Sequence, residues 1–430
     1  MLARGSSSDK LTGATTMSAE SSTITTPAQV FVRIRPLAAA GAHASRQHGE
    51  KPDKRDMNKL GAFDEKKVNI ESKNRKSQDV LYSYMKCVVL PQDDQEAAFD
   101  KMGLPELISQ FLDGYNTTFI AYGQTGTGKT HTMFGSSLYS IQAHDLENSQ
   151  FPAEWGLFPR AIMLAMEKMK NSGDEKVKYV FTANVIELYM FEVYDLLNSK
   201  SKVHTDKWGG SDFDLQGVHE MEVSNSRDVS ALIDIMHTNR QSRSTGMNDQ
   251  SSRSHCIASF NLTRIEEGRE SSRDVVKSSF TFVDLAGSER VEKTGNEPKK
   301  TESGWEGIST NYELYQLGLS IGMAVQAARK GKKTRVRRDC ILAKVLWRTL
   351  DAETITNMVV CLSQSEKNGG ETWCSLNYGE KLSKLRSKVQ KARPVNLDNM
   401  LTKTKQVIVN LHPKPSNIGH QNKISTPHTF

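Results

Sequence analysis

The feature that most constrains this chain is a glycine-rich loop that lies between an apolar stretch and a run able to start a helix. Residues 123–130 read Gly-Gln-Thr-Gly-Thr-Gly-Lys-Thr and match the phosphate-binding pattern G-x-x-x-x-G-K-[ST] at every fixed position. The apolar residues 119–122 predict a buried strand, and a helix can begin at Lys129. Strand, motif and helix in this order predict a nucleotide-binding loop.

Each residue type in this loop has a chemical reason. The three glycines let the backbone wrap closely around an anion, because glycine reaches conformations that a side chain forbids. The loop N–H groups and the helix N-terminus then face a β-phosphate. Lys129 would reach the β- and γ-phosphates, and the Thr130 hydroxyl would ligate Mg²⁺. The loop residues predicted to bind nucleotide are Gly123, Gln124, Thr125, Gly126, Thr127, Gly128, Lys129 and Thr130.

Composition indicates a globular chain with polar ends, whose length would allow two or three domains or one larger α/β unit. The chain has 430 residues, of which 37% are hydrophobic, and no apolar run of 18 residues that would predict a membrane span. Residues 1–27 are rich in Ser and Thr, lack the apolar core of a secretory signal, and are predicted to be a disordered tail. Residues 28–393 form the predicted domain. Residues 394–430 are polar and carry no heptads, so no coiled coil is expected there.

The cysteines indicate the redox environment of the chain, and the distribution of charge indicates what kind of partner it could bind. Five scattered cysteines without a Cys-x-x-Cys pair favour reduced thiols in a cytosolic protein. Residues 329–338 place seven cations in ten positions, and such a block would attract a polyanion. Composition alone leaves open that this block is only a solvated loop or a nuclear-localisation-like run.

Two stretches downstream of the loop offer the further groups that nucleotide hydrolysis needs. Residues 248–255, Asn-Asp-Gln-Ser-Ser-Arg-Ser-His, provide hydroxyls for Mg²⁺ and water, and a cation. Residues 284–290, Asp-Leu-Ala-Gly-Ser-Glu-Arg, follow an apolar strand, where a metal-binding aspartate belongs. Gly287 offers a backbone N–H to a γ-phosphate, and Glu289 is a plausible partner for Arg253. Each stretch alone is also typical of an ordinary turn, but their order behind a phosphate loop is far more specific.

Together these strings resemble the kinesin motor domain. The matching stretches are residues 33–36 (Arg-Ile-Arg-Pro), 113–116 (Asp-Gly-Tyr-Asn), 121–133, 248–255, 284–290 and 293–295 (Lys-Thr-Gly). The resemblance runs from about residue 30 to about residue 393. It implies a P-loop NTPase fold of the α/β class, with a mainly parallel central sheet of about eight strands and helices on both faces.

The resemblance also implies roles for individual residues. Arg33, Arg35 and Pro36 stand where kinesins contact the adenine, and His131 would stack on its other side. Thr130, Ser252 and Asp284 would hold Mg²⁺ directly or through water.

In the same comparison, Asn248 to Ser254 correspond to the switch I segment, with Ser251 near the γ-phosphate and the attacking water. Gly287 of switch II would sense the γ-phosphate. Arg253 and Glu289 would form the salt bridge that closes the site. ATP and Mg²⁺ are therefore the expected cofactors.

The C-terminal third departs from the family pattern. Where kinesins usually read Ile-Asn-Lys-Ser-Leu in the helix against tubulin, residues 310–314 read Thr-Asn-Tyr-Glu-Leu. Asn311 is kept, Tyr312 replaces the lysine, and the acid Glu313 is added. Spacing predicts long helices over residues 312–329 and 372–389, and residues 387–393 resemble the start of a neck linker.

The expected function is a microtubule-binding ATPase that couples Mg-ATP hydrolysis to movement in the cytoplasm and on the cytoskeleton. Microtubule contact is expected through residues 329–338 and the helix around Asn311, and this chain alone is expected to be monomeric. One alternative is a protein that occupies microtubules without productive movement. A P-loop ATPase that acts on nucleic acid through the basic block is a less favoured alternative, because of the kinesin-specific strings.

Overall fold

The computed structural model describes ten stretches of the chain, and all structural statements below concern these residues. They are residues 23–37, 58–72, 79–135, 152–172, 176–204, 217–241, 252–267, 273–289, 302–330 and 340–397.

The strands fall into one large sheet and two small ones. In chain order they are β1 (Thr23–Pro27), β2 (Gln29–Ile34), β3 (Asn58–Phe63), β4 (Val68–Ser72), β5 (Val80–Tyr82), β6 (Cys87–Val89), β7 (Thr117–Tyr122), β8 (Val177–Tyr189), β9 (Glu192–Asp195), β10 (Ser201–Val203), β11 (Met221–Glu222), β12 (His255–Glu267), β13 (Arg273–Asp284), β14 (Ile355–Leu362), β15 (Arg386–Gln390) and β16 (Val395–Asn396).

The helices lie between these strands. They are α1 (Gln95–Lys101), α2 (Leu104–Leu112), α3 (Lys129–Met133), α4 (Leu157–Asn171), α5 (Ser226–Gln241), α6 (Glu302–Arg329), α7 (Ile341–Val345), α8 (Trp347–Leu350) and α9 (Gly369–Ser383).

The central sheet is mixed. Its strand order is β10-β9-β8-β12-β13-β7-β14-β2-β6, with β11 and β16 as short additions beside β8 and β13. The pairs from β13 to β6 are parallel and the pairs from β10 to β13 are antiparallel. The α/β architecture is confirmed, while the sheet has as many antiparallel as parallel neighbours along this path, where the sequence predicted a mainly parallel sheet.

Two apolar cores lie on opposite faces of the sheet. One packs α1, α2, α4 and α5 against side chains such as Phe119, Phe260 and Phe282, all of which are fully buried. The other packs α6, α7, α8 and α9 against side chains such as Ile120 and Val283. Helices therefore cover both faces, as the fold class predicts.

The phosphate-loop strand lies in the middle of the sheet. All six residues of β7 are buried, and β7 pairs in parallel with β13 on one side and β14 on the other. Parallel strands present their carboxyl ends at the same edge. The loop after β7 and the segment after β13 therefore meet there.

Two boundary predictions were wrong at their ends. Residues 372–389 do not form one helix, because α9 ends at Ser383 and Arg386–Gln390 is the strand β15. The prediction of a disordered tail over residues 1–27 was wrong for its last five residues, because Thr23–Pro27 pairs antiparallel with that strand, from Thr23 opposite Gln390 to Pro27 opposite Arg386. Residues 1–22 lie outside the described residues. The buried side chain of Val389 anchors this small sheet in the core.

None of the helices in the described stretches is long and apolar enough to cross a membrane.

Candidate nucleotide-binding site

The loop after β7 adopts the backbone that its glycines predict. Gly126 and Gly128 have φ angles of 78° and 93°, in the left-handed region that favours glycine. Gly123 has φ 149°, and a Cβ there would lie 2.4 Å from the carbonyl oxygen of Cys361 in β14. The loop lines a cavity of about 500 Å³, a size that suits a small-molecule ligand. The residues that line it are Arg35, Pro36, Leu37, Thr125, Gly126, Gly128, Lys129, Thr130, His131 and Ser252.

Lys129 is held inside the loop. Its side chain is buried, and its Nζ donates to the carbonyl oxygens of Gly123 at 2.8 Å and Gln124 at 3.0 Å. Burial lowers the pKa of Lys129, and the carboxylates of Asp284 and Glu289 oppose that shift. An anionic phosphate in the cavity would add a partner for this ammonium group, which is the chemistry expected of a phosphate-loop lysine.

Thr130 and Asp284 form the candidate metal site. The Thr130 hydroxyl donates to Oδ2 of Asp284 at 2.7 Å, and Arg240 Nη1 donates to the same oxygen at 2.9 Å. Asp284 is 1% exposed, and its buried Oδ1 has no hydrogen-bond partner among the described residues. A hydroxyl beside a carboxylate with an unused oxygen is a donor set that suits Mg²⁺, a hard cation that prefers oxygen ligands.

The segment after β13 folds onto the phosphate loop. Gly287 N–H donates to the carbonyl oxygen of Ser252 at 2.7 Å, and Ser288 N–H donates to that of Gly123 at 3.2 Å. The Glu289 carboxylate accepts from both the backbone N–H and the hydroxyl of Thr125. The two predicted switch segments and the loop therefore touch one another directly.

The predicted salt bridge between Arg253 and Glu289 is not formed. Arg253 Nη1 instead pairs with the carboxylate of Glu306 on α6, which also accepts from the Tyr189 hydroxyl. The Thr310 hydroxyl of α6 donates to the carbonyl oxygen of Arg253 at 3.0 Å. Glu289 is engaged by Thr125, and α6 brings a second acid to Arg253. The bridge between Arg253 and Glu289, expected when the γ-phosphate is bound, stays a prediction.

The predicted adenine-contacting residues do not all reach the cavity. Arg35 and Pro36 line it, and Arg35 donates to the carbonyl oxygen of Gly126. Arg33 does not line it, because its Nη1 donates to Gln95 Oε1 at 2.7 Å and to Thr132 Oγ1 at 3.1 Å.

The His131 ring lies at the cavity wall, with about half of its side chain exposed. Gln95 Nε2 lies 3.1 Å from the ring nitrogen Nδ1 of His131, and it donates to the backbone carbonyl oxygen of His131 at 2.7 Å. Burial and the nearby Arg33 lower the pKa of His131, which favours the neutral ring. A neutral ring at this wall can stack on a base.

The structure also shows site residues that sequence reasoning missed. Arg240 pairs with Asp284, Gln95 holds both Arg33 and His131, and Glu306 pairs with Arg253. Gln95 lies on α1, Arg240 on α5 and Glu306 on α6, before residue 312 where the sequence predicted that helix to begin. No local sequence pattern connects any of them with the loop. The predicted positions Asn248 and Ser251 lie outside the described residues, and so does most of the basic block, from residue 331 to 338.

Comparisons with known proteins agree with this geometry. The sequence profile of the kinesin motor domain matches residues 33–385. Among curated proteins, the kinesin-like protein KIF27 of Rattus norvegicus is 31% identical over 292 residues, which is 66% of this chain and 20% of that protein. The kinesin-like protein unc-104 of Caenorhabditis elegans is 32% identical over 300 residues, which is 68% of this chain and 18% of that protein.

The chain therefore spans about a fifth of the length of these relatives. Among solved structures, a KIF14 segment in complex with AMP-PNP and a microtubule superposes with a TM-score of 0.69 at 23% identity, over 86% of this chain and 97% of that chain. A fast kinesin superposes with a TM-score of 0.63 at 24% identity, over 86% of this chain and 94% of that chain. These two likenesses show the shared P-loop fold, and the profile match over most of the chain shows that it belongs to the kinesin family.

Proposed function

We propose that this chain is a microtubule-stimulated Mg-ATPase whose nucleotide state changes the position of α6 and of the segment after α9. The observation that carries the proposal is the direct joining of Arg253 to α6, through Glu306 and through Thr310. Arg253 lies beside Ser252, which lines the nucleotide cavity. A change at the nucleotide therefore has a short route to a helix 28 residues long.

Nucleotide binding needs only local exchanges of hydrogen bonds. Lys129 can turn from the Gly123 and Gln124 carbonyl oxygens to a phosphate, and Thr125 N–H can leave Glu289 for a phosphate oxygen. Thr130 and Asp284 would hold Mg²⁺, which neutralises charge on the phosphates. A γ-phosphate that takes over the Thr125 N–H would displace the Glu289 carboxylate from Thr125. This supports Glu289 and Gly287 as residues that respond to the γ-phosphate.

The exposed face of α6 supports a partner surface. Its large exposed apolar side chains recur every three or four residues, and the polar Gln326 follows them in the same row. The apolar side chains are Trp305, Ile308, Tyr312, Tyr315, Leu319 and Met323. Single exposed apolar residues are ordinary, but a continuous row on one helix marks an interaction surface. We assign this row, with the helix end at Arg329 and the basic block after it, to the contact with the microtubule.

The start of the predicted neck supports conversion of nucleotide state into displacement. Strand β15 lies against β1, and Ala392 N–H donates to the carbonyl oxygen of Gly114 at 2.9 Å. Release of this segment would break these backbone bonds and expose the buried Val389, so its docking can differ between states of the domain. In the cell, the proposal is that this chain moves along microtubules in the cytoplasm as a monomer.

The apolar row on α6 also favours a second candidate, a kinesin-like protein that binds microtubules without productive coupling. An apolar contact can hold a partner tightly in every nucleotide state. Steady-state ATP hydrolysis measured with and without a titration of microtubules, at two salt concentrations, separates the two. Strong stimulation supports the motor. Microtubule binding without stimulation supports the second candidate, and hydrolysis that Lys129→Ala fails to abolish would overturn the site assignment.

A further inference from the structure

A buried acid on α6 faces a buried histidine next to the nucleotide switches. Glu313 is 2% exposed and His255 is 1% exposed, and Glu313 Oε2 lies 3.5 Å from His255 Nε2. The acid that the sequence adds to this helix therefore does not lie on its outer face. The neighbouring Tyr312 and Tyr315 take that face, with 42% and 63% exposure.

The hydrogen-bond partners of His255 fix its tautomer. Backbone N–H of Ala286 donates to His255 Nδ1 at 3.0 Å, so this nitrogen carries no proton. Burial, with added repulsion from Lys129 and Arg240, lowers the pKa of His255 to about 3, and the ring is neutral. A neutral imidazole that accepts at Nδ1 must carry its proton on Nε2. The N–H group of His255 therefore points its proton toward Glu313.

The His255 Nε2 and Glu313 Oε2 atoms are slightly too far apart for a formed hydrogen bond. The separation of 3.5 Å between His255 Nε2 and Glu313 Oε2 exceeds the usual 2.9–3.0 Å of a formed bond. His255 Nε2 has no hydrogen-bond partner among the described residues, and on Glu313 the other oxygen, Oε1, has none either. A buried N–H group left without an acceptor costs free energy. A displacement of about half an ångström would close it.

We propose that Glu313 is a positioning residue that couples the switch segment at Ala286 to α6, through a hydrogen bond from His255 Nε2–H that closes in one nucleotide state and opens in another. Ala286 precedes Gly287, whose N–H is the group expected to respond to the γ-phosphate. A shift of this turn moves the imidazole through the Ala286 bond, and the imidazole moves the acid on α6. The inference rests on the proposed function, because it names the route by which nucleotide state reaches α6.

The charged groups around the pair make the link sensitive to pH. Burial raises the pKa of Glu313 to about 7, and a bond from the Leu342 backbone on α7 opposes this shift. Lys129 and Arg240 act from the nucleotide side, on His255.

Tyr378 on α9 lies against Gly318 of α6. Burial raises the pKa of Tyr378 well above its ordinary value, so this phenol stays neutral. On α8, Arg348 lies over the ring of its neighbour Trp347. Above pH 7 the ionised Glu313 accepts a charge-assisted bond, which is stronger than the bond to its protonated form.

The test is hydrogen exchange along α6, measured with ADP and with a non-hydrolysable ATP analogue, at pH 6 and at pH 8. In the wild-type chain we expect the difference between the two nucleotides to be larger at pH 8, with a midpoint near the Glu313 pKa of about 7. Glu313→Gln keeps the size of the side chain and cannot ionise, and we expect its nucleotide difference to be the same at both pH values. Glu380→Gln makes the same change at a surface pair on α9 and should behave as wild type.

Two results would overturn the inference. One is a pH step in Glu313→Gln equal to that of the wild-type chain. The other is no nucleotide difference along α6 in the wild-type chain at either pH. Both are read without microtubules, so a chain whose hydrolysis microtubules fail to stimulate would refute the proposed function and leave this link standing. Nucleotide affinity of Glu313→Gln, measured in the same samples, shows that the variant folds and binds.

Discussion

The buried pair between Arg240 and Asp284 gives the sharpest quantitative prediction. The Arg240 guanidinium is 5% exposed and the Asp284 carboxylate 1% exposed, with Nη1 and Oδ2 2.9 Å apart. Arg240→Met keeps much of the side-chain volume and removes the charge. It leaves a buried carboxylate whose remaining donor, within the described part of the chain, is the Thr130 hydroxyl.

The expected cost is large because the remaining charge stays buried. Removing one partner of a buried ion pair destabilises a protein by about 3–5 kcal/mol. The pKa of Arg240 agrees with a charged pair, since burial alone would lower it but the nearby Cys256 and Asp284 raise it above its ordinary value. Urea unfolding should show a lower midpoint at an unchanged slope. The matched control is Lys384→Met, which removes a cation from an exposed pair with Glu380 and should cost less than about 1 kcal/mol.

Two further measurements distinguish a lost ion pair from lost packing. If the charge is the cause, Arg240→Met combined with Asp284→Asn should cost less than the sum of the two single changes, since the second removes the stranded carboxylate. Adding Mg²⁺ and ATP to Arg240→Met should recover part of the lost stability, because the metal returns positive charge to Asp284. A cost for Arg240→Met as small as that of the control, or strict additivity in the double variant, would refute this account of the site.

Three other variants test the remaining parts of the site. Lys129→Ala should lose binding of a fluorescent ATP analogue while far-ultraviolet circular dichroism stays unchanged, and retained binding would contradict the loop assignment. Gly123→Ala should destabilise the chain and weaken nucleotide binding, because its Cβ would lie 2.4 Å from the Cys361 carbonyl oxygen; a normal melting temperature would show that the loop tolerates the methyl group. Glu306→Gln should reduce microtubule-stimulated hydrolysis more than basal hydrolysis, because it weakens the pair with Arg253, and equal reductions would place Glu306 in the hydrolysis step itself.

The phosphate loop was predictable because its chemistry fixes consecutive positions. Glycines must stand where the backbone approaches an anion, and Lys129 and Thr130 must follow directly. The resemblance also assigned Thr130 and Asp284 to one metal site, and their side chains lie in hydrogen-bond contact. Where a site is made by one short segment, its residues can be read from the sequence.

The partner of Arg253 could not be read in that way. Glu289 and Glu306 are both acids downstream of it, and only the placement of α6 decides between them. Burial of Glu313 was equally hidden, because one helical turn separates an outward position from an inward one. A contact between two segments distant in sequence depends on the packing of the elements that carry them.

Only the end of β13 was predicted, as the apolar strand before Asp284, and the rest of the long hairpin of β12 and β13 was missed for a different reason. The strands pair over twelve positions from Cys256 opposite Asp284, but part of one face is polar. Ser259 lies opposite Thr281, with their hydroxyl oxygens 3.0 Å apart, and Asn261 lies opposite Ser279. Cross-strand hydroxyl pairs stabilise such a sheet, while the sequence pattern there resembles a loop.

The geometry of α6 explains why departures from the family pattern need not mean lost coupling. Its outer face carries Tyr312 and Tyr315 toward solvent, and its inner face carries Glu313 toward His255. Its first turns hold Glu306 against Arg253. On the proposed function, a substitution on the outer face would change what the helix binds, and a substitution on the inner face would change how it follows the nucleotide. Because one rigid helix carries both faces, an altered track surface and an intact switch connection are compatible in the same chain.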